Sequence, residues 1–227
     1  MTLTRMLPLL LPLLLSMAAA LMALPAHAQG FKFPNEEDTR KAAEAERQAD
    51  QAKVEAMLAT PCRAKIKNQK IMVLIGENKN GAVQAGQAAF NPQVDAINTR
   101  LQAAGLKTAT PAQIRAQVSQ AEIDAYFKND PDAAISASKR LAAQYILKGL
   151  ITTQAGRNLA VNVNQVNISM HFTLTGANGK MISQTEATNA SYAGSDTPGM
   201  ALTLIRERAD EVVARLYSDY CQKAGVR

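Results

Sequence analysis

Acid–base and nucleophilic chemistry has few side chains to draw on in this 227-residue chain: His27 and His171 are the two histidines, Cys62 and Cys221 the two cysteines. His171 alternates with Ser169 and Thr173, opposite Met170, Phe172 and Leu174. A Ser–His–acid triad would have to use it, because His27 falls in a segment expected to be removed. A surface histidine on a strand is the other reading of the same spacing. Cys–His catalysis would compete for the same imidazole and would need a reduced thiol. Such a set cannot build a His-rich or Cys-rich zinc centre. GENKNGAVQAG (76–86) follows a strand, but it lacks Gly-Lys-Ser/Thr and a tight G-x-G-x-x-G, so it is not a phosphate cradle. The acidic groups Glu36/Glu37, Asp130/Asp132 and Glu207/Asp210/Glu211 fall at caps or on exposed helix faces, where the helix dipole and solvation account for them. No catalytic, cofactor or metal site is predicted, and no enzyme.

Two other groups of residues could act. Arg63, Lys65 and Lys67 alternate in CRAKIKNQK (62–70), which would place them on one face of a strand, with Lys70 completing the strip. Such a strip either contacts an anionic polymer or blunts an exposed sheet edge. Cys62 and Cys221 lie near the two ends of the folded region. In an oxidising compartment they are read as one structural disulfide, with two free thiols as the alternative.

The compartment follows from the N-terminus. Arg5 precedes an uncharged apolar stretch from Met6 to Leu24, and Ala26-His27-Ala28 is a small-x-small cleavage site. Residues 1–28 are therefore expected to be an export signal cut between Ala28 and Gln29, placing the mature chain in the periplasm; the competing reading is an uncleaved membrane anchor, which Pro8, Pro12 and Pro25 would interrupt. No cysteine stands at the cut, so a lipoprotein is not expected. After Ala28 no segment has the length and apolarity of a spanning helix. The formal net charge is +6, and losing Arg5 leaves 24 Lys and Arg against 19 Asp and Glu. This mild basicity does not call for nucleic acid. At 47% hydrophobic and 19% charged, the composition excludes wholesale disorder.

The elements that would position these residues are well punctuated. Residues 29–60 form a linker and a helical arm, Glu36 to Leu58, rich in Ala, Glu, Lys, Arg and Gln, read either as an arm that docks on a neighbouring subunit or partner or as a mobile solvated helix tethering the domain. Residues 61–227 form the main domain. KIMVLI (70–75) is a strand covered on both faces, followed by a loop, Glu77 to Gly86. Asn91-Pro92, Thr110-Pro111, Asp130-Pro131 and Thr197-Pro198 each mark a helix start. The expected helices are Pro92–Ala104, a second running from Pro111 to near Phe127 with Ile114, Val118, Ala121 and Ala125 inward, Pro131–Ala142 and Pro198–Lys223. Strands are expected at Leu106–Ala109, Tyr145–Thr153, Leu159–Thr175 and Lys180–Ala193. Gly156 turns the chain between two of them, and a β-bulge near Asn164-Gln165 corrects the phase of Leu159, Val161 and Val163. Gly176-Ala177-Asn178-Gly179 is a hairpin turn. The order β-α-β-α-α-β-β-β-α predicts an α/β (α+β) fold with one mixed sheet and helices packed on it.

With that order in place, the segment from Lys70 to Lys223 resembles the envelope α/β domain shared by the penicillin-binding-protein activator LpoB, the exopolysaccharide protein PelC, the curli secretion protein CsgG and the middle part of the flagellar protein FlgT, a TolB N-terminal-like fold. The resemblance is carried by IMVLI (71–75), LQAAGLKTATPAQI (101–114), AAQYILKGLITT (142–153) and VNISMHFTLTGANGKMISQ (166–184). It implies a non-enzymatic scaffold, activator or ring component of an envelope machine, binding an envelope protein or its own copies. A periplasmic binder of an anionic polymer through the basic strip is the alternative, and an unrecognised hydrolase a further one.

Overall fold

The structure, a computed structural model, describes residues 35–60, 62, 66–79 and 81–223. The chain divides into two compact units, Met1–Lys41 and Ala42–Arg227, with the boundary inside helix α1 (Glu36–Leu58). In the first unit Asn35 caps α1, its Oδ1 accepting the Asp38 N–H at 2.7 Å, and Glu37 pairs with Lys41 one turn on. The predicted arm helix and the observed one share the same bounds. No residue of α1 is buried, as its Ala-, Glu- and Gln-rich faces imply.

The second unit is built on β1 (Lys70–Lys79). Its run Ile71–Ile75 is almost fully buried, because the strand is covered on both faces. β1 pairs in parallel with β3 (Lys107–Thr108) on one side and with β4 (Tyr145–Asn158) on the other. β4, β5 (Val163–Gly176) and β6 (Met181–Ala193) continue as an antiparallel meander. A short β2 (Ala82–Gln84) pairs with the end of β1, so the sheet order is β2-β1-β4-β5-β6 with β3 beside β1. This is the mixed sheet the sequence predicts.

Helices cover the two faces unequally. α2 (Asn91–Ala103) and the long α6 (Thr197–Lys223) pack Val94, Ile97, Leu204, Val212 and Leu216 against Ile71, Val73, Leu147, Met170 and Phe172. On the other face α3 (Pro111–Gln117), α4 (Gln120–Phe127) and α5 (Pro131–Arg140) seal Met72, Leu74 and Ile146 with Ile114, Ile123, Phe127 and Leu141. Gly149 has a packing reason within β4: a Cβ there would lie 2.5 Å from the Phe172 ring and 2.6 Å from Ile75. Gly179 takes φ +80° in the β5–β6 turn, where a residue with a Cβ would be strained.

Several expectations are corrected. The single helix from Pro111 is two helices: Val118 turns extended (φ −123°, ψ 123°), and Ser119 opens α4 through a capping box with Glu122. Ile123, Tyr126 and Phe127 are buried there, whereas Ala121 is exposed. The loop expected at 77–86 continues β1 to Lys79 and turns into β2. Gly156 does not turn the chain; it is paired with Gln165 inside β4. β5 starts at Val163, not Leu159, and pairs with β4 without a break up to Tyr145↔Gly176. No bulge stands near Asn164-Gln165, because Leu159 and Val161 belong to the turn and leave no phase to correct. The register shift lies instead between Leu174 and Thr175, against β6. Thr110 and Asp130 cap helices as predicted, but Asn91 is already helical and Asp196, rather than Thr197, accepts the Gly199 N–H.

The α3–α5 layer is locked by Arg140, which reaches Gln117 O and Glu122 Oε1. That guanidinium, with the Ser119 backbone and hydroxyl, holds the Glu122 carboxyl down at about 2, against an ordinary 4.5. A carboxylate with a depressed native pKa stabilises the fold above about pH 4.5, and that contribution is lost as pH falls towards 2. Glu122→Gln is expected to lower the melting temperature at pH 7 and to flatten its fall between pH 4.5 and 2, read by circular dichroism. A parallel fall in both proteins would contradict this role for Glu122.

Candidate functional site: a hairpin tip and a stapled end

β1 stops supporting β4 at Asn78↔Thr152, yet β4 runs six residues further, to Asn158, beside β5 and β6. The sheet thus ends in a protruding ribbon whose turn is 159–162. Its polar groups are satisfied within the ribbon. Asn158 Oδ1 accepts the Ala160 N–H at 3.0 Å, Asn162 takes φ +54°, and the Arg157 Nε–H donates to Asn162 Oδ1 at 2.8 Å. Asn164, one pair from the tip, donates to Gly194 O at 2.7 Å, beside the end of β6. With the amides turned inward, the apolar side chains are left outside. Leu159 is 88% exposed, Val161 55%, Val163 38% and Tyr192, diagonal to Val163 on β6, 56%. Four of the seven large exposed apolar side chains among the described residues gather at this one end. A single exposed Leu needs no explanation; a cluster of four at one end of the sheet does. Sequence reasoning missed it by assigning Leu159, Val161 and Val163 to a buried strand face. The Asn residues at 158 and 162 were the available turn signal.

His171 lies on the sheet face away from α2 and α6, half exposed, with Nε2 against the Gln184 amide and Nδ1 3.8 Å from Glu186 Oε2. Ser169 and Thr173 share that face, so the predicted alternation holds. Lys148, also on it, is partly buried over the Tyr126 and Phe127 rings, at 4.9 and 5.4 Å, and burial lowers its pKa. Its ammonium donates to Tyr126 O and Asn129 Oδ1. Among the described residues no three His, Cys, Asp or Glu side chains are placed to hold a metal ion, and no helix is long and apolar enough to cross a membrane.

Of the expected basic strip, Arg63 and Lys65 lie outside the described residues, as do the cleavage residues Ala28 and Gln29. Lys67 and Lys70 do not share a strand face. The Ile66 N–H bonds to Cys62 O and the Gln69 N–H to Ile66 O, Asn68 has φ +65°, and Lys70 is the first residue of β1. Residues 66–69 form a turn, and Ile66 is buried in the core. Lys107, which the sequence reading passed over, stands beside Lys70 in the β1–β3 register.

The cysteines meet. Cys62 and Cys221 form a disulfide, with Cα atoms 5.6 Å apart across 159 residues of sequence. Beside it Thr60 O accepts the Tyr217 hydroxyl at 2.9 Å, and the Thr60 and Ser218 hydroxyls lie 3.3 Å apart. Tyr145 and Tyr220 share a 2.6 Å hydroxyl contact, and burial with that partner holds the Tyr145 phenol well above its ordinary pKa.

No protein-family profile and no curated protein matches the chain. Among solved structures it is similar to a PelC dodecamer subunit from Paraburkholderia phytofirmans (16% identity, 67% of this chain and 89% of that one, TM-score 0.40). It is also similar to the LpoB C-terminal domain from Salmonella enterica (18%, 57% and 93%, 0.37) and to the hypothetical protein CT253 from Chlamydia trachomatis (15%, 66% and 98%, 0.42). PelC and LpoB are two of the proteins that the sequence resembles.

Closing a loop of this length is worth about 2–4 kcal/mol in practice. Replacing both Cys62 and Cys221 by Ser is expected to lower the melting temperature by about 5–15 °C while leaving the circular dichroism spectrum unchanged. An unaltered melting temperature would show that the staple contributes nothing.

Proposed function

We propose that this protein is a non-enzymatic interaction module of the cell envelope, and that it binds a protein partner through the β4–β5 hairpin tip. The tip is the observation that carries the reading: apolar Leu159, Val161, Val163 and Tyr192 held on a ribbon that extends past the rest of the sheet. Around them stand Asn158, Asn162, Asn164 and Gln165, uncharged amides, with Arg157 the nearest cation on the ribbon. An apolar centre within a polar rim is the anatomy of a protein–protein contact. A lipid-facing tip would call for a cluster of Lys and Arg instead. Residues 1–28, read as an export signal, and a disulfide suited to an oxidising compartment support the envelope location.

Burying a side chain such as Leu or Val contributes about 1.5–3 kcal/mol. Leu159→Ser with Val161→Ser is therefore expected to weaken the partner complex by about 2–4 kcal/mol, roughly 30- to 700-fold. In native electrophoresis of envelope extracts, the tagged protein should run in a discrete heavier species and the double variant at monomer size with an unchanged melting temperature. Equal migration of the two would refute the reading.

A further inference from the structure

The part of α1 within the second unit runs parallel to α6, and the contacts from Asp50 to Thr60 keep one register. Lys53 pairs with Glu211 at 2.7 Å and Asp50 with Arg208 at 3.1 Å, each 158 residues apart in sequence, and Thr60 meets Ser218 at the same separation. The two ends of this pairing differ in kind. At Thr60–Cys62 the chain is pinned by the Tyr217 hydroxyl and the disulfide. α1 ends at Leu58, and Thr60, which precedes a proline in the sequence, is disfavoured from helical backbone. Upstream, α1 buries no residue, and between Ala43–Glu55 and α6 an open cleft of about 800 Å³ remains, lined by Arg47, Asp50, Val54, Glu207 and Arg208 among others. The ammonium of Lys53 and the carboxylate of Asp50 each stay about half exposed. Leu58, 44% exposed, caps a notch of about 170 Å³ walled by Ala103, Ala104, Val213 and Tyr217.

We propose that the Ala42–Leu58 stretch of α1 is a hinged strap, docked on α6 by Lys53–Glu211 and Asp50–Arg208. It swings away about the stapled Thr60–Cys62 end when those pairs are screened, uncovering the α6 face and the notch under Leu58. Lys53 and Asp50, the strap's members of these pairs, are about half exposed, so the pairs are weak and salt-sensitive, and the docked form prevails at low salt by a margin that screening can reverse. A strap held by Val54, Met57 and Leu58 would respond in the opposite sense, since salt does not weaken apolar contacts.

The test is the distance between spin labels on Ala45→Cys and Thr203→Cys, attached to the oxidised full-length protein. At about 50 mM salt one short, narrow distance is expected; at about 1 M the longer population should grow about three- to tenfold. Lys53→Gln should give the open distribution at low salt, and Lys53→Arg should keep the docked one. A distribution that ignores salt, that tightens with salt, or that Lys53→Gln leaves unchanged would overturn the proposal.

Discussion

The unit beginning at Ala42 depends on one covalent constraint, the Cys62–Cys221 bond across 159 residues. It joins the segment that leads into β1 to the end of α6, the helix whose Ala201-to-Cys221 face seals one side of the sheet. The segment entering the central strand and the end of the last helix are therefore held together in the unfolded chain as well, which lowers its entropy. Thr60, Tyr217 and Ser218 extend the staple by hydrogen bonds. The register in which α1 runs beside α6 follows from this fixed end. No residue of α1 is fully buried, and the Lys53–Glu211 and Asp50–Arg208 pairs keep that register further along.

The opposite end of the sheet is shaped by where pairing stops. β1 supports β4 only as far as Asn78↔Thr152, so the remainder of the meander projects as a ribbon. Asn158, Asn162 and Arg157 use their hydrogen-bonding capacity on the turn itself, which leaves Leu159 and Val161 facing solvent.

Much of the fold was legible where a local cause acts alone. The continuous apolar run 71–75 announced a strand buried on both faces, Thr110-Pro111 and Asp130-Pro131 announced caps, and Gly176–Gly179 announced a hairpin. Errors arose where two local signals compete. Helical periodicity across 111–127 outweighed the Ser119-x-x-Glu122 capping box, and alternating apolar residues at 159–163 outweighed the asparagines of a turn. The alternation of Arg63, Lys65 and Lys67 suggested a strand, whereas residues 66–69 form a turn with Ile66 buried. The candidate site itself was not legible, because exposure depends on where β1 ends, a tertiary fact. The pairing of Lys53 with Glu211 escaped for the same reason.

The central claim, that the hairpin tip is the docking surface, is tested most directly by a photo-crosslinking benzoylphenylalanine placed at Val161 and, separately, at Asn178 in the exposed turn between β5 and β6. Irradiation of living cells should give one discrete protein adduct from position 161 and none from position 178. Adducts of equal yield at both positions, lipid adducts at 161, or none at 161 in a protein that exports and melts normally would contradict it.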